Sequence, residues 1–203
     1  MHLASPHKSL GMGVTGDVLA ALASLRAPVS GRRIAERARV SASQAAKVLA
    51  DLTGAGLVDV TNARPAILYE LNRDHVLAAA VEATAAARGE WRRRLATTVQ
   101  TWDPAPIGVI VFGSAASGAA TAGSDIDLLV VRPAGTAAAD DMWSSQVAEL
   151  ARALRRWTGN GVDIVDATAR ELAANRKLHA EVHENGLLVA GELPVAAASS
   201  RRR

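Results

Sequence analysis

The run from Val109 to Val131, VIVFGSAASGAATAGSDIDLLVV, restricts what this chain can fold into more than any other stretch. An apolar run meets a Gly-Ser turn and a small-residue segment, and a second apolar run then opens with two aspartates one residue apart. Side chains of a strand alternate faces, so Asp125 and Asp127 project to the same side, about 7 Å apart along the chain. Aspartate is depleted from strands, and a carboxylate buried there without a partner costs several kcal/mol. Repulsion between the two would raise one carboxyl's pKa, and a divalent cation relieves it while keeping sites open for water and phosphate. Asp163, flanked by Val162, Ile164 and Val165, has the same character and completes a metal-binding triad if its strand lies beside that of Asp125. Asp166, three residues on, falls on the opposite face as a strand-end or helix-cap residue.

The Gly-Ser turn is the second half of the device. Gly113 lets the backbone pass close to a bulky anion, and the Ser114 hydroxyl with neighbouring N–H groups can cradle phosphate oxygens at a helix start. Ser124, just before Asp125, joins them as a candidate nucleotide contact, although Ser124-Asp125 also reads as a plain turn.

An apolar strand ending in Gly-Ser, about ten residues, Asp-x-Asp in a strand and a later strand aspartate together resemble the polymerase-β-type nucleotidyltransferase superfamily, most of all its minimal members. The resemblance covers roughly residues 107–191. It implies that Asp125, Asp127 and Asp163 are catalytic and bind two Mg²⁺ ions, that Asp163 also activates the acceptor hydroxyl, and that Gly113 and Ser114 hold the triphosphate of an NTP, ATP by default. It also implies an acceptor that is either a partner protein, frequently a toxin encoded next door, or a small hydroxylated antibiotic. Many minimal members read Gly-Ser-Arg-Ala-Arg-Gly, whereas this chain has small residues at Ala115 and Ser117. Losing two bidentate phosphate ligands weakens nucleotide binding unless another cation compensates. A second reading therefore stands beside the transferase: a transcription regulator whose second domain senses nucleotide with little or no turnover, as part of a toxin–antitoxin pair.

Upstream of this region, Val18, Leu19, Leu22 and Leu25 form one helical stripe. Ser30 caps a short helix and Ser41 caps another, with Gln44 at the capping-box position. Leu57–Val60, a turn at Asn62–Pro65 and Ile67–Leu71 read as a hairpin. Helices followed by a hairpin over residues 14–73 resemble a winged helix-turn-helix, which implies duplex DNA as a partner. Ser41, Ser43, Gln44 and Lys47 suit a recognition helix, Arg32 and Arg33 the DNA backbone, and Arg64 a minor groove.

Residues 74–103 read as one long helix. Leu77, Val81, Trp91, Leu95 and Trp102 recur with a period near 3.5, which suits either a homodimer seam or a connector packed on both domains. Asp103-Pro104-Ala105-Pro106 marks the domain boundary. Beyond it, alternating strands and helices over 104–191 predict a small mixed sheet with helices over one face. The whole is α+β: a winged helix-turn-helix, a long linker helix and a small mixed-sheet transferase domain. Residues 1–13 and 192–203 read as disordered ends, with His2 and His7 as exposed bystanders. His179 and His183, at i and i+4, lack a third ligand and read as surface or interdomain residues.

Composition excludes more than it selects. No cysteine is present among the 203 residues, which removes disulfides and thiolate-bound zinc. No apolar run is long enough for a membrane span or a secretion signal, so a cytoplasmic protein with no membrane partner is expected. The net charge of +3 conceals an asymmetry: residues 1–100 carry 13 Lys and Arg against 8 Asp and Glu, and the remainder 10 against 12. A basic half suits a polyanion and an acidic half suits metal-binding carboxylates.

Overall fold

The structure, a computed structural model, describes residues 1–194; the last residues of the expected disordered tail, 195–203, lie outside that range. The chain divides into two compact units, one of His2 with residues 4–88, the other of Met1, Leu3 and residues 89 onward.

In the first unit, helices α1 (Gly13–Ala23), α2 (Gly31–Ala38) and α3 (Ala42–Gly54) accompany strands β1 (Val29–Ser30), β2 (Val58–Ala63) and β3 (Ala66–Leu71). The strands form an antiparallel sheet in the order β1-β3-β2. The two capping serines set where α2 and α3 begin. The Ser30 hydroxyl accepts from the Arg33 N–H, and Ser41 with Gln44 forms a reciprocal capping box, a cap of this kind being worth about 1 kcal/mol. Val18, Leu22, Ile34, Leu49, Leu52, Val58 and Leu71 make the core.

Residues 1–13, expected to be disordered, are built in. A 3-10 helix spans Pro6–Leu10, Pro6 and His7 are buried, and Leu3 belongs to the second unit's core. His7 is no bystander: its Nε2 lies 2.8 Å from Asp17 Oδ1 and its ring packs on Gly16, where a Cβ would collide with it.

Helix α4 (Ala78–Val99) crosses the border between the units without a break. Val81 lies in the first unit's core, while Trp91, Leu95, Val99 and Trp102 lie in the second's. Within this chain Val81, Trp91, Leu95 and Trp102 of the stripe are buried, and Leu77 at its start is half exposed. The units part at residue 88, not at the prolines of 103–106, because burial of the two tryptophans ties the second half of the helix to the second unit's core.

The second unit holds a four-stranded sheet in the order β6-β5-β4-β7, with β4 (Gly108–Phe112), β5 (Ile126–Arg132), β6 (Val162–Thr168) and β7 (Leu187–Gly191). β5 and β6 are parallel and the other pairs antiparallel. Between strands lie α5 (Gly113–Ser117), α6 (Asp141–Thr158), α7 (Ala169–Ala174) and α8 (Arg176–Asn185).

On one sheet face Val109, Val111, Ile126, Leu128, Val130 and Val162 pack with the two tryptophans of α4 and its end and with Trp143, Leu150 and Leu154 of α6. The other face is not bare, as a one-sided packing would leave it. Ile110, Leu129, Val131 and Ala167 pack with Leu172 of α7 and Val182 of α8. The apolar residues of those two short helices need a second surface, and the sheet's alternation supplies one. No helix among the described residues is long and apolar enough to cross a membrane.

Candidate functional site

Strand register brings two of the three acids together. Asp127 of β5 and Asp163 of β6 are direct partners in the parallel ladder, so their side chains leave the same face of adjacent strands, roughly 4.8 Å apart in backbone spacing. This is the face that α7 and α8 cover at its other end, over Val131 and Ala167. Asp125 precedes the first residue of β5 and shares the parity of Asp127. Asp125 and Asp163 are exposed and Asp127 is half-buried.

Two glycines accommodate these carboxylates. Gly113 has φ +64°, and a Cβ there would strike Asp127, whose Cγ is 3.3 Å from that position. At Gly161 a Cβ would strike Asp125, with Cγ at 2.8 Å. The Gly-Ser turn therefore abuts Asp127, and the head of β6 abuts Asp125.

Electrostatics mark Asp127 as the centre of the cluster. Burial raises its pKa above the usual carboxylate value, and the charges of Asp163, Glu181 and Asp125 raise it further. Glu181, on α8, is an acid that sequence reasoning missed. Its place is set by the docking of Leu178 and Val182 on the sheet, a long-range contact that no local motif encodes. Among the described residues no three His, Cys, Asp or Glu side chains converge closely enough to hold one ion. The donor chemistry, oxygen ligands with an uncompensated negative potential, fits a divalent cation; the rotamers do not form a closed cage.

The Ser114 carbonyl accepts from the Gly118, Ala119 and Ala120 N–H groups and from the Ser117 hydroxyl, and among the described residues no hydrogen bond engages the Ser114 hydroxyl. Ser124 is instead structural at its hydroxyl, which accepts from Thr121 N at 2.9 Å to close the 121–124 turn.

Asp166 lies on the opposite face, as its spacing requires, but it caps nothing. Its Oδ2 accepts from the Trp143 indole at 3.0 Å, and its Oδ1 faces Arg132 Nη1 at 2.6 Å. Arg132, 4% exposed, also donates to Thr136 O and Glu171. His179 and His183 stack with ring centroids 4.1 Å apart and join no ligand cluster.

The residues expected to read DNA are exposed but not all free. Gln44 Oε1 accepts from Ser41 N and Ser41 Oγ, and Ser41 Oγ lies 3.1 Å from Ser43 Oγ, so the capping box engages the Ser41 hydroxyl and the Gln44 amide oxygen. Arg32 pairs with Glu36 at 3.0 Å. Arg33, Lys47 and Arg64 are exposed.

Comparison with protein families matches residues 92–185 to the nucleotidyltransferase domain. The matched stretch begins inside α4, near the border between the two units, and ends with α8; it contains Gly113, all three aspartates and Glu181. No curated protein and no solved structure matches the chain.

Proposed function

We propose that the second unit transfers a nucleotidyl group from an NTP, ATP by default, to a hydroxyl acceptor with two Mg²⁺ ions, and that the first unit, read as a winged helix-turn-helix, binds duplex DNA. The observation that carries the reading is the register pairing of Asp127 with Asp163 beside the Gly113 turn, within a stretch that matches the nucleotidyltransferase domain.

Asp125, Asp127 and Asp163 would hold the metal. Bound there, Mg²⁺ supplies neutralisation of the triphosphate charge and acidifies the acceptor hydroxyl. The Ser114 hydroxyl donates to a phosphate oxygen, and Gly113 lets the backbone lie close to it. Exposed Asp163 takes the proton as the acceptor oxygen bonds the α-phosphorus, and the bond to the bridging oxygen breaks to release pyrophosphate. Asp125→Asn combined with Asp127→Asn should abolish Mg²⁺-dependent label transfer while the circular dichroism spectrum is unchanged; undiminished transfer refutes the assignment.

A second reading is favoured by Ala115, Ala116 and Ser117, which give α5 no cation for a triphosphate. Here the unit binds nucleotide as a sensor for the DNA-binding unit. Calorimetry of ATP with Mg²⁺ beside a pyrophosphate assay separates the two: binding without product supports the sensor, and no binding defeats both. The acceptor in the first reading is a protein encoded beside this chain or a small hydroxylated molecule, and radiolabel transfer to each separates them.

A further inference from the structure

We infer that Asn160 is a positioning residue for Asp125; this rests on the transferase reading, in which Asp125 is a metal ligand. Among the described residues nothing donates a hydrogen bond to the Asp125 carboxylate, and the side chain is exposed. The backbone alone therefore fixes where this side chain starts, and that backbone is held from both sides by residues 160 and 161. Asn160 Nδ2 donates to Ser124 O at 2.8 Å and lies 3.3 Å from Ala122 O. The Ile126 N–H donates to Gly161 O at 2.9 Å. Asp125 sits between these two bonds, with its carboxylate against the bare α-carbon of Gly161.

The clamp has a rigid footing. Asn160 is 3% exposed, its own N–H donates to the Thr158 hydroxyl at 3.2 Å, and Thr158 donates to Leu154 O at 2.7 Å. Its Oδ1 accepts from the Met1 nitrogen at 2.8 Å, and Nδ2 lies 3.2 Å from Met1 O. Two amide hydrogens face three carbonyls and the lone oxygen accepts in return, so the side chain has one orientation available. It joins the end of α6, embedded in the core through Leu150 and Leu154, to the 121–124 turn.

Asn160→Leu keeps the volume and removes both donors. Groups that orient ligands typically cost 10-fold to 100-fold in metal affinity or activity when removed. Mn²⁺ binding followed by electron paramagnetic resonance, with no nucleotide present, should weaken by about tenfold, and hydrogen exchange at the Ile126 N–H should speed up. Under saturating metal, kcat should recover toward the parent value. Asn160→Asp, which retains shape and the acceptor, serves the same comparison if the leucine variant does not fold. Parent-like Mn²⁺ affinity in a variant whose parent protein binds Mn²⁺ overturns the inference alone. A parent protein that binds no Mn²⁺ overturns the metal reading of the site and this inference with it. A variant that loses thermal stability but keeps both Mn²⁺ affinity and Ile126 exchange shows Asn160 to be structural only.

Discussion

Asp166 and Asp163 stand three residues apart on one strand and serve opposite faces of the sheet. Asp166 answers a 4% exposed guanidinium, Arg132, at 2.6 Å and the indole N–H of Trp143, while Asp163 is exposed beside Asp127. Removing Asp166 leaves the buried Arg132 guanidinium with only the Thr136 carbonyl and the more exposed Glu171 carboxylate, and strips the Trp143 indole of its acceptor, a loss approaching the about 3–5 kcal/mol of breaking a buried ion pair. Asp166→Ala should therefore lower the urea midpoint severely. Asp163→Ala should leave it within about 0.5 kcal/mol, as exposed substitutions do, while abolishing transfer. Equal destabilisation by the two would contradict this division of roles.

Gly113→Ala should act on chemistry and fold together. A φ of +64° strains any side chain, a cost of order 1–3 kcal/mol, and the new methyl would displace the Asp127 carboxylate. Transfer should fall by about 100-fold or more, since misplacement of a reacting group by 1 Å is enough for that. Ser114→Ala, which removes only a hydroxyl, should raise KM for the NTP with no change in melting temperature.

The pH behaviour is governed by Asp127. Burial first, then Asp163, Glu181 and Asp125, lifts its folded-state pKa above the unfolded value. The folded protein consequently holds this proton more tightly than the unfolded chain, and stability is lost as pH rises from the unfolded value through the folded one. Asp127→Asn should raise the melting temperature at neutral pH and leave it unchanged below that window. Mg²⁺ should stabilise the parent protein at neutral pH and progressively less as the carboxyl takes up its proton. A melting temperature for Asp127→Asn at or below the parent's at pH 8 would contradict the repulsion.

Under the DNA-binding reading, duplex affinity and stability fall to different residues of the first unit. Gln44 closes the capping box on Ser41, so Gln44→Ala should cost about 1 kcal/mol of stability whatever it does to DNA. Lys47→Ala and Arg64→Ala should leave melting unchanged and reduce duplex affinity, each lowering the slope of log K against log salt by about 1. Fluorescence anisotropy across a salt series checks this, and a flat salt dependence for the parent protein would exclude phosphate contacts.

Much of the candidate site was legible because it is written locally. Acids inside apolar runs are costly, so Asp127 and Asp163 announced themselves, and the alternation of β5 and β6 fixed their face once the strands were neighbours. Other features depend on partners far away in sequence. Leu3 and His7 have no periodicity to read, and they are ordered by the core and by Asp17. The prolines at 104 and 106 are strong local punctuation, but Trp91 and Leu95 carry more burial and move the border upstream. Ser41 and Gln44 satisfied two patterns at once, a helix cap and a base-reading surface, and backbone capping takes their hydrogen bonds in this structure. Glu181 was illegible because only the docking of α8 directs it.

β6 is the outermost strand of its sheet, and that has a bearing on what this centre can work upon. Within its own unit no further strand flanks exposed Asp163, so under the transferase reading a bulky alcohol, carried by a sugar or by the surface of another folded chain, has an approach from that side of the sheet. Water has the same access, so under the transferase reading a slow release of nucleoside monophosphate and pyrophosphate should be measurable when no acceptor is present.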